Sequence, residues 1–267
     1  MLENGFSVFG LTGIREIVPG NNLAEVIEQA AQGNLMNDDI LAISSKIISK
    51  AEARILPIEQ YESAIESETV RVVATKTYPG GITRIIQNRN GLIMASAGID
   101  LSNAPDGTLL LLPEDPDSSA RNLRAELSQR LGIRLGILIT DTFGRPWRIG
   151  QTDVAIGAAG IQVDLNLKDA RDAHGRKLKV THTAVADELA AASDVVKGKS
   201  NQCPIAVIRG LSYLVTDEDG PGAAALIRPE HEDMFTLGTR EAFDAGYVAG
   251  QNETVSNTAK PGERNES

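Results

Sequence analysis

Two aspartates close apolar runs, and polar donors follow each one. Asp141 comes after Ile137, Leu138 and Ile139, with Thr140 before it and Thr142 behind. Asp100 comes after Ala97, Gly98 and Ile99, with Ser102 and Asn103 behind. A carboxylate and a hydroxyl at the mouth of a buried strand are suitable oxygen ligands for a hard cation that also holds phosphate. Basic segments lie at 46–54, 145–148 and 197–199. Lysines neutralise phosphates, and a guanidinium grips phosphate or carboxylate bidentately. Acidic ligands ringed by cations are the recurrent arrangement around a metal-bound triphosphate. Each feature also has a plainer reading. Asp141 could cap a helix after a strand and tight turn, and Asp100 could make an Asx turn. Lys46, Lys50 and Arg54, four residues apart on a helix, could be a solvated stripe, although like charges so placed repel and suggest an anionic partner. Asp187 and Glu188 could add a ligand, or simply favour the start of a helix.

Several familiar devices are absent. Gly198, Lys199 and Ser200 suggest a phosphate loop, but the glycine required five positions before Gly198 is Ser193, and the triplet follows a helix. There is no dinucleotide fingerprint, no nucleophile elbow and no zincin motif. The single Cys203 rules out an internal disulfide and a Cys-rich zinc site. His174, His182 and His231 are too scattered for a metal motif. A net charge of −10 argues against a general nucleic-acid binder, and 4% aromatics against a single-strand stacking platform. No leader or long apolar run is present, so a soluble cytoplasmic protein without a membrane partner is expected.

The elements that must position these residues read as a mixed α+β chain. Strands are expected at 6–11, 40–43, 82–86, 92–97, 109–112, 136–142, 163–167, 178–183 and 204–209. Helices are expected at 23–31, 44–54, 59–74, 120–131, 184–196, 233–237 and 239–245. Residues 37–39 read as a turn, and 88–91 as a hairpin turn because Asn90-Gly91 supplies positive φ. Residues 217–222 read as a mobile loop. Boundaries near 85 and 180 give a discontinuous first domain, 1–85 plus 180–249. An inserted second domain covers 86–179, and a disordered tail 250–267.

Taken together, these stretches resemble the coenzyme F-420 gamma-glutamyl ligase family. The similarity is carried by residues 44–52, 97–103, 140–157, 185–190 with 196–199, and 207–210, of which 140–157 is long and specific. The resemblance implies a GTP-dependent ligase with Mg²⁺ or Mn²⁺ at two sites, and allows a monovalent cation. It also implies an unusual two-domain fold and an intertwined homodimer. Leu11, Thr12, Gly13, Ile14, Ser45, Lys46, Lys50 and Asn103 fall on the family's GTP contacts, as does the 197–203 loop with Lys197, Gly198 and Lys199. Asp100 and Asp141 fall on one metal and Thr142 on a second, with Asp100, Asp141 and Lys50 as catalytic groups. Where some members place a Glu or Gln metal ligand in that loop, this chain has Lys199. Some relatives add a C-terminal flavin-reductase-like domain, and here the ligase module is expected to stand alone. From residue chemistry, Arg145, Arg148 and Arg209 are candidates for substrate carboxylates, and Trp147 for a wall of the acceptor pocket. Alternatives are a metal-dependent nucleotide phosphohydrolase and a non-catalytic nucleotide-binding protein.

Overall fold

The structure is a computed structural model that describes residues 5–199 and 201–258. In chain order the elements are β1 (Ser7–Leu11), α1 (Leu23–Ala31), β2 (Asp39–Ser44), α2 (Ser45–Ala51), β3 (Ile55–Pro57) and α3 (Tyr61–Glu68). There follow β4 (Thr69–Tyr78), β5 (Gly81–Asn88), β6 (Ile93–Ala95), β7 (Thr108–Leu110) and α4 (Pro116–Leu131). The chain continues through β8 (Leu135–Gly144), β9 (Gln151–Ala159), β10 (Leu165–Asn166), β11 (His182–Thr183), α5 (Val185–Lys197), β12 (Ile205–Arg209) and α6 (Thr239–Thr258). Strands and helices are mixed, as the sequence pattern requires.

The main sheet runs β1-β12-β2-β8-β9. Within it β2 and β8 pair parallel and the other neighbours antiparallel. A parallel pair cannot be joined by a tight turn. The whole of 45–134 forms the crossover between them. β2 and β8 are apolar on successive residues because both faces are covered. Leu41, Ile43, Ile137 and Ile139 pack with Ile27 of α1 and Leu123 and Leu127 of α4. Ile40, Ala42 and Leu138 face the other way, onto Val185, Ala186 and Leu189 of α5. The side-chain period of two thus places two helical layers on one sheet.

Helix ends follow their capping residues. Asn22 accepts from the Glu25 N–H, and Asp115 from the Ser118 N–H. Gly132, with φ +66°, ends α4. The small-residue run after Asp153 is a strand, β9, which forms a hairpin with β8. Its small residues have a steric cause: a Cβ at Gly157 would lie 2.4 Å from the Pro116 carbonyl, where α4 crosses.

Several expectations are corrected. The helix expected over 59–74 ends at Glu68. Val70, Val72 and Val73 are β-branched and lie in β4 instead, where Val72 pairs with Ile86 of β5 and the other two fall at irregularities of the register. Asp39 is not in a turn but opens β2, fully buried. Arg54 lies beyond α2 and donates to the Leu112 carbonyl and to Glu68, so it leaves the supposed cationic stripe. Of 178–183 only His182 and Thr183 are strand, and 233–237 contains no helix. The 217–222 loop is pinned: Arg124 bonds Asp219 and the Thr216 carbonyl, and Asp117 accepts from the Ala223 and Ala224 N–H groups.

β8 and β9, which fall within the expected 86–179 unit, hydrogen-bond into the same sheet as β2 and β12. Two small clusters, Ala64 with Leu109 and Leu111, and Ile65 with Ile86 and Ala97, lie apart from the cores that flank this sheet. α6 continues past Gly250, and the expected tail beyond Thr258 lies outside the described residues. Among the described residues no helix is long and apolar enough to cross a membrane.

Candidate active site

The parallel pairing of β2 with β8 sets Ser44 beside Thr140. Their carboxyl ends therefore deliver Ser45 and Asp141 to one place, the side of an open sheet where ligand crevices form. A cavity of about 910 Å³ opens there. Ile14, Lys46, Lys50, Asn103, Asp141, Thr142, Lys197, Gly198 and Lys199 line it, all of them singled out by the sequence.

Ser45 Oγ donates to Asp141 Oδ1 at 2.8 Å. Asp141 keeps some surface open to the cavity, yet protein surrounds it closely. Burial pushes its pKa up; the Ser45 bond pulls down, Asp153 adds like charge, and the net value is about 6. Asp100 is the opposite case. Burial would raise it, but Lys46 and Ser102 outweigh burial and hold it below the usual carboxylate range. Lys46 Nζ is 2.5 Å from Asp100 Oδ2 and 2.8 Å from Ser102 Oγ. Lys50, buried, reaches Glu16 at 2.5 Å. The structure thus brings Ser45, Lys46, Lys50, Asp100, Asn103 and Asp141 together from segments far apart in the chain.

A second cluster adjoins. Asp153 is buried on β9, opposite Thr142 in the β8–β9 register. It accepts from Thr140 at 3.0 Å and Thr142 at 2.7 Å, and pairs with Lys197 at 2.9 Å and Lys199 at 3.3 Å. Burial raises its pKa, and Lys197, Thr142 and Lys199 together bring it below the normal value. Lys199 also bonds Thr142 Oγ1 and Asp194 Oδ1, each at 2.7 Å. The sequence reading missed Asp153 and Asp194. The hairpin register is the signal for Asp153, because it puts a carboxylate directly across from Thr142. No local signal marks Asp194.

Other singled-out residues lie elsewhere. Leu11 ends β1 in the core, and Thr12 and Gly13 lead from it to Ile14 at the cavity edge. Arg145, Trp147 and Arg148 sit at the tip of the β8–β9 hairpin, outside the cavity lining. Trp147 is 81% exposed and meets Phe235 edge-on at 4.9 Å. Arg209 is at the far end of the sheet, bonded to Asp39 at 2.8 and 2.6 Å, with the Phe9 ring beneath it. It is committed to structure. Asp187 does not reach the cavity either, since it accepts from the Ala155 N–H on the edge strand β9. Ser200 lies outside the described residues.

Among the described residues no three His, Cys, Asp or Glu side chains form a metal-holding group. Asp100 is near enough to raise the proton affinity of Asp141, and Asp141 has no ammonium paired to it. A cation shared with phosphate oxygens fits that imbalance.

The site is thus a cleft beside the carboxyl end of β2 in which lysines face carboxylates. A family model described as F420-0:Gamma-glutamyl ligase matches residues 13–210, nearly three quarters of the sequence, and the chain belongs to this family. It is 38% identical over 240 residues to the Coenzyme F420:L-glutamate ligase of Methanopyrus kandleri, covering 83% of this chain and 94% of that one. It is 35% identical over 250 residues to the protein of the same name from Methanothermobacter thermautotrophicus, covering 86% and 99%. The corresponding protein of Haloarcula marismortui is 33% identical over 260 residues, covering 88% and 97%.

Proposed function

We propose that this chain adds L-glutamate, through a gamma-glutamyl linkage, to the precursor of the deazaflavin coenzyme, and that GTP drives the reaction. The observation that carries this reading is Asp141: a largely enclosed carboxylate facing a lysine-lined cleft, with no cation paired to it. The family membership and the names of the relatives supply the reaction class.

A carboxylate and an amine do not condense in water without activation. In the proposed sequence a carboxylate oxygen of the coenzyme tail attacks the γ-phosphorus of GTP. The bond from that phosphorus to the bridging oxygen breaks and GDP leaves. The amine of glutamate then attacks the acyl carbon, phosphate departs with the bond electrons, and the amine proton passes to solvent. Asp100 and Asp141 would hold Mg²⁺ or Mn²⁺, which supplies charge stabilisation of the transferring phosphoryl group. Lys46 and Lys50, now paired with Asp100 and Glu16, exchange these carboxylates for phosphate oxygens when nucleotide enters. Asn103 and the 197–199 segment border the same space and orient the nucleotide. Ser45 fixes the direction in which Asp141 presents its free oxygen.

A homodimer is part of the proposal. Trp147, Ile149, Phe243 and Tyr247 are exposed apolar side chains that such an interface would cover.

The test combines protein, GTP, Mn²⁺, L-glutamate and the unglutamylated coenzyme, with mass spectrometry of the product. GTP-dependent gain of a glutamyl unit supports the ligase. GDP release without coenzyme or glutamate indicates a phosphohydrolase, and binding without turnover a nucleotide sensor.

A further inference from the structure

We propose that Lys199 is a tethered cation that occupies a second cation position in this cleft, so that the protein takes one divalent ion per active site rather than two. The inference rests on the metal–nucleotide reading above.

The Lys199 ammonium is surrounded by three oxygens from three different elements. Thr142 Oγ1 of β8 and Asp194 Oδ1 of α5 are each 2.7 Å away, and Asp153 Oδ1 of β9 is at 3.3 Å. A hydroxyl and two carboxylates converging on one point are the donor set of a hard cation. Here an ammonium supplies the charge. The neighbouring oxygens are used up as well: Thr142 donates to Asp153, and the other Asp153 oxygen is held by Lys197 and Thr140.

The charge count points the same way. Asp100, Asp141, Asp153 and Asp194 face Lys46, Lys197 and Lys199, which leaves one negative charge in excess. Asp100 is paired with Lys46, Asp153 with Lys197 and Asp194 with Lys199. The excess falls on Asp141, whose direct partner is the neutral Ser45 hydroxyl. The need for a divalent ion is therefore at Asp141 and Asp100. The position around Thr142 is already filled.

The Lys199 side chain is 61% exposed, so removing it opens a position without disrupting the core. Lys199→Met is the informative variant, because methionine adds no oxygen ligand and frees all three. Mn²⁺ is titrated into the wild-type protein and the variant with saturating β,γ-methylene-GTP. Bound ion is counted by electron paramagnetic resonance, and circular dichroism confirms the fold. The expected result is one Mn²⁺ per wild-type chain and about a twofold rise in the variant, as an emptied three-oxygen position admits an ion. Two ions in the wild type would overturn the inference and leave the ligase reading standing, as would one ion in both proteins. No Mn²⁺ in either would instead remove the metal–nucleotide reading itself.

Discussion

Ser45 Oγ donates to Asp141 Oδ1 at 2.8 Å, joining the first residue of α2 to a carboxylate 96 positions later on β8. The bond exists because β2 and β8 run parallel with Ser44, the last residue of β2, beside Thr140. Ser45 cannot itself balance the carboxylate's charge, but it fixes which oxygen faces the cleft. A side chain that orients a metal-binding carboxylate in this way is worth about 10–100-fold in metal affinity. Ser45→Ala should weaken Mn²⁺ binding by roughly that factor in protein that circular dichroism shows to be folded. An unchanged affinity, measured by Mn²⁺ titration, would separate Ser45 from the site.

Asp153 and Lys197 form an enclosed ion pair, with side chains 6% and 4% exposed. Removing one partner of such a pair leaves an uncompensated charge and costs about 3–5 kcal/mol. Asp153→Ala and Lys197→Met should each show a loss of that order in urea unfolding. The double variant Asp153→Leu/Lys197→Met should recover most of it, since an apolar replacement of both partners is tolerated. A double variant as unstable as the sum of the singles would mean the two groups do not act as a pair.

Arg209 tests whether position in the sheet outweighs residue chemistry. It is spent on Asp39 and the Asn34 carbonyl, at the end of the sheet away from the cleft. Arg209→Ala should lower the thermal midpoint, because it takes the cation from the fully buried Asp39 and leaves its carboxylate only the Met36 N–H. The KM values of the folded protein for all three substrates should stay within about twofold of the wild type, as expected for sites that do not touch. A large rise in KM for glutamate or the coenzyme would return Arg209 to the substrate pocket.

Asp187 carries a pH dependence. Burial raises its pKa, and the Ala155 N–H bond opposes this only in part. A carboxyl whose folded pKa is raised contributes stability that is complete below the unfolded pKa and is lost as pH rises through the folded pKa. Asp187→Asn keeps an acceptor for Ala155 without the charge. The variant should therefore gain thermal stability relative to wild type at pH 7, and the gain should shrink toward pH 4. A gain that grows on acidification would reverse the assignment.

Much of the site was legible in the sequence because apolar runs stop abruptly at Asp141 and near Asp100, although β8 continues through Asp141 to Gly144 and Asp100 meets Leu110 in an isolated bridge. Asn22, Asp115 and Gly132, which cap helices in the structure, are residue types that favour those positions. What local pattern could not carry was pairing between distant segments. The β9 strand hid behind its small residues, which exist because α4 crosses it at Gly157. Asp153 stayed hidden with it. The apolar stretch after Glu68 kept enough helical periodicity to be read as more helix, until its pairing with β5 decided otherwise. Arg209 carried chemistry suited to a substrate, and only the antiparallel β12–β2 register places it at the wrong end of the sheet.

The account's central claim is that GTP activates a carboxylate for ligation in this cleft. It is tested most directly by labelling the terminal carboxylate of the acceptor coenzyme with heavy oxygen and following the label through one GTP- and glutamate-dependent turnover, with folded Asp141→Asn protein in parallel. The wild type should transfer one labelled oxygen into the released phosphate for each glutamyl unit added, and Asp141→Asn should form no product. Glutamyl addition with unlabelled phosphate, or full turnover by folded Asp141→Asn, would contradict it.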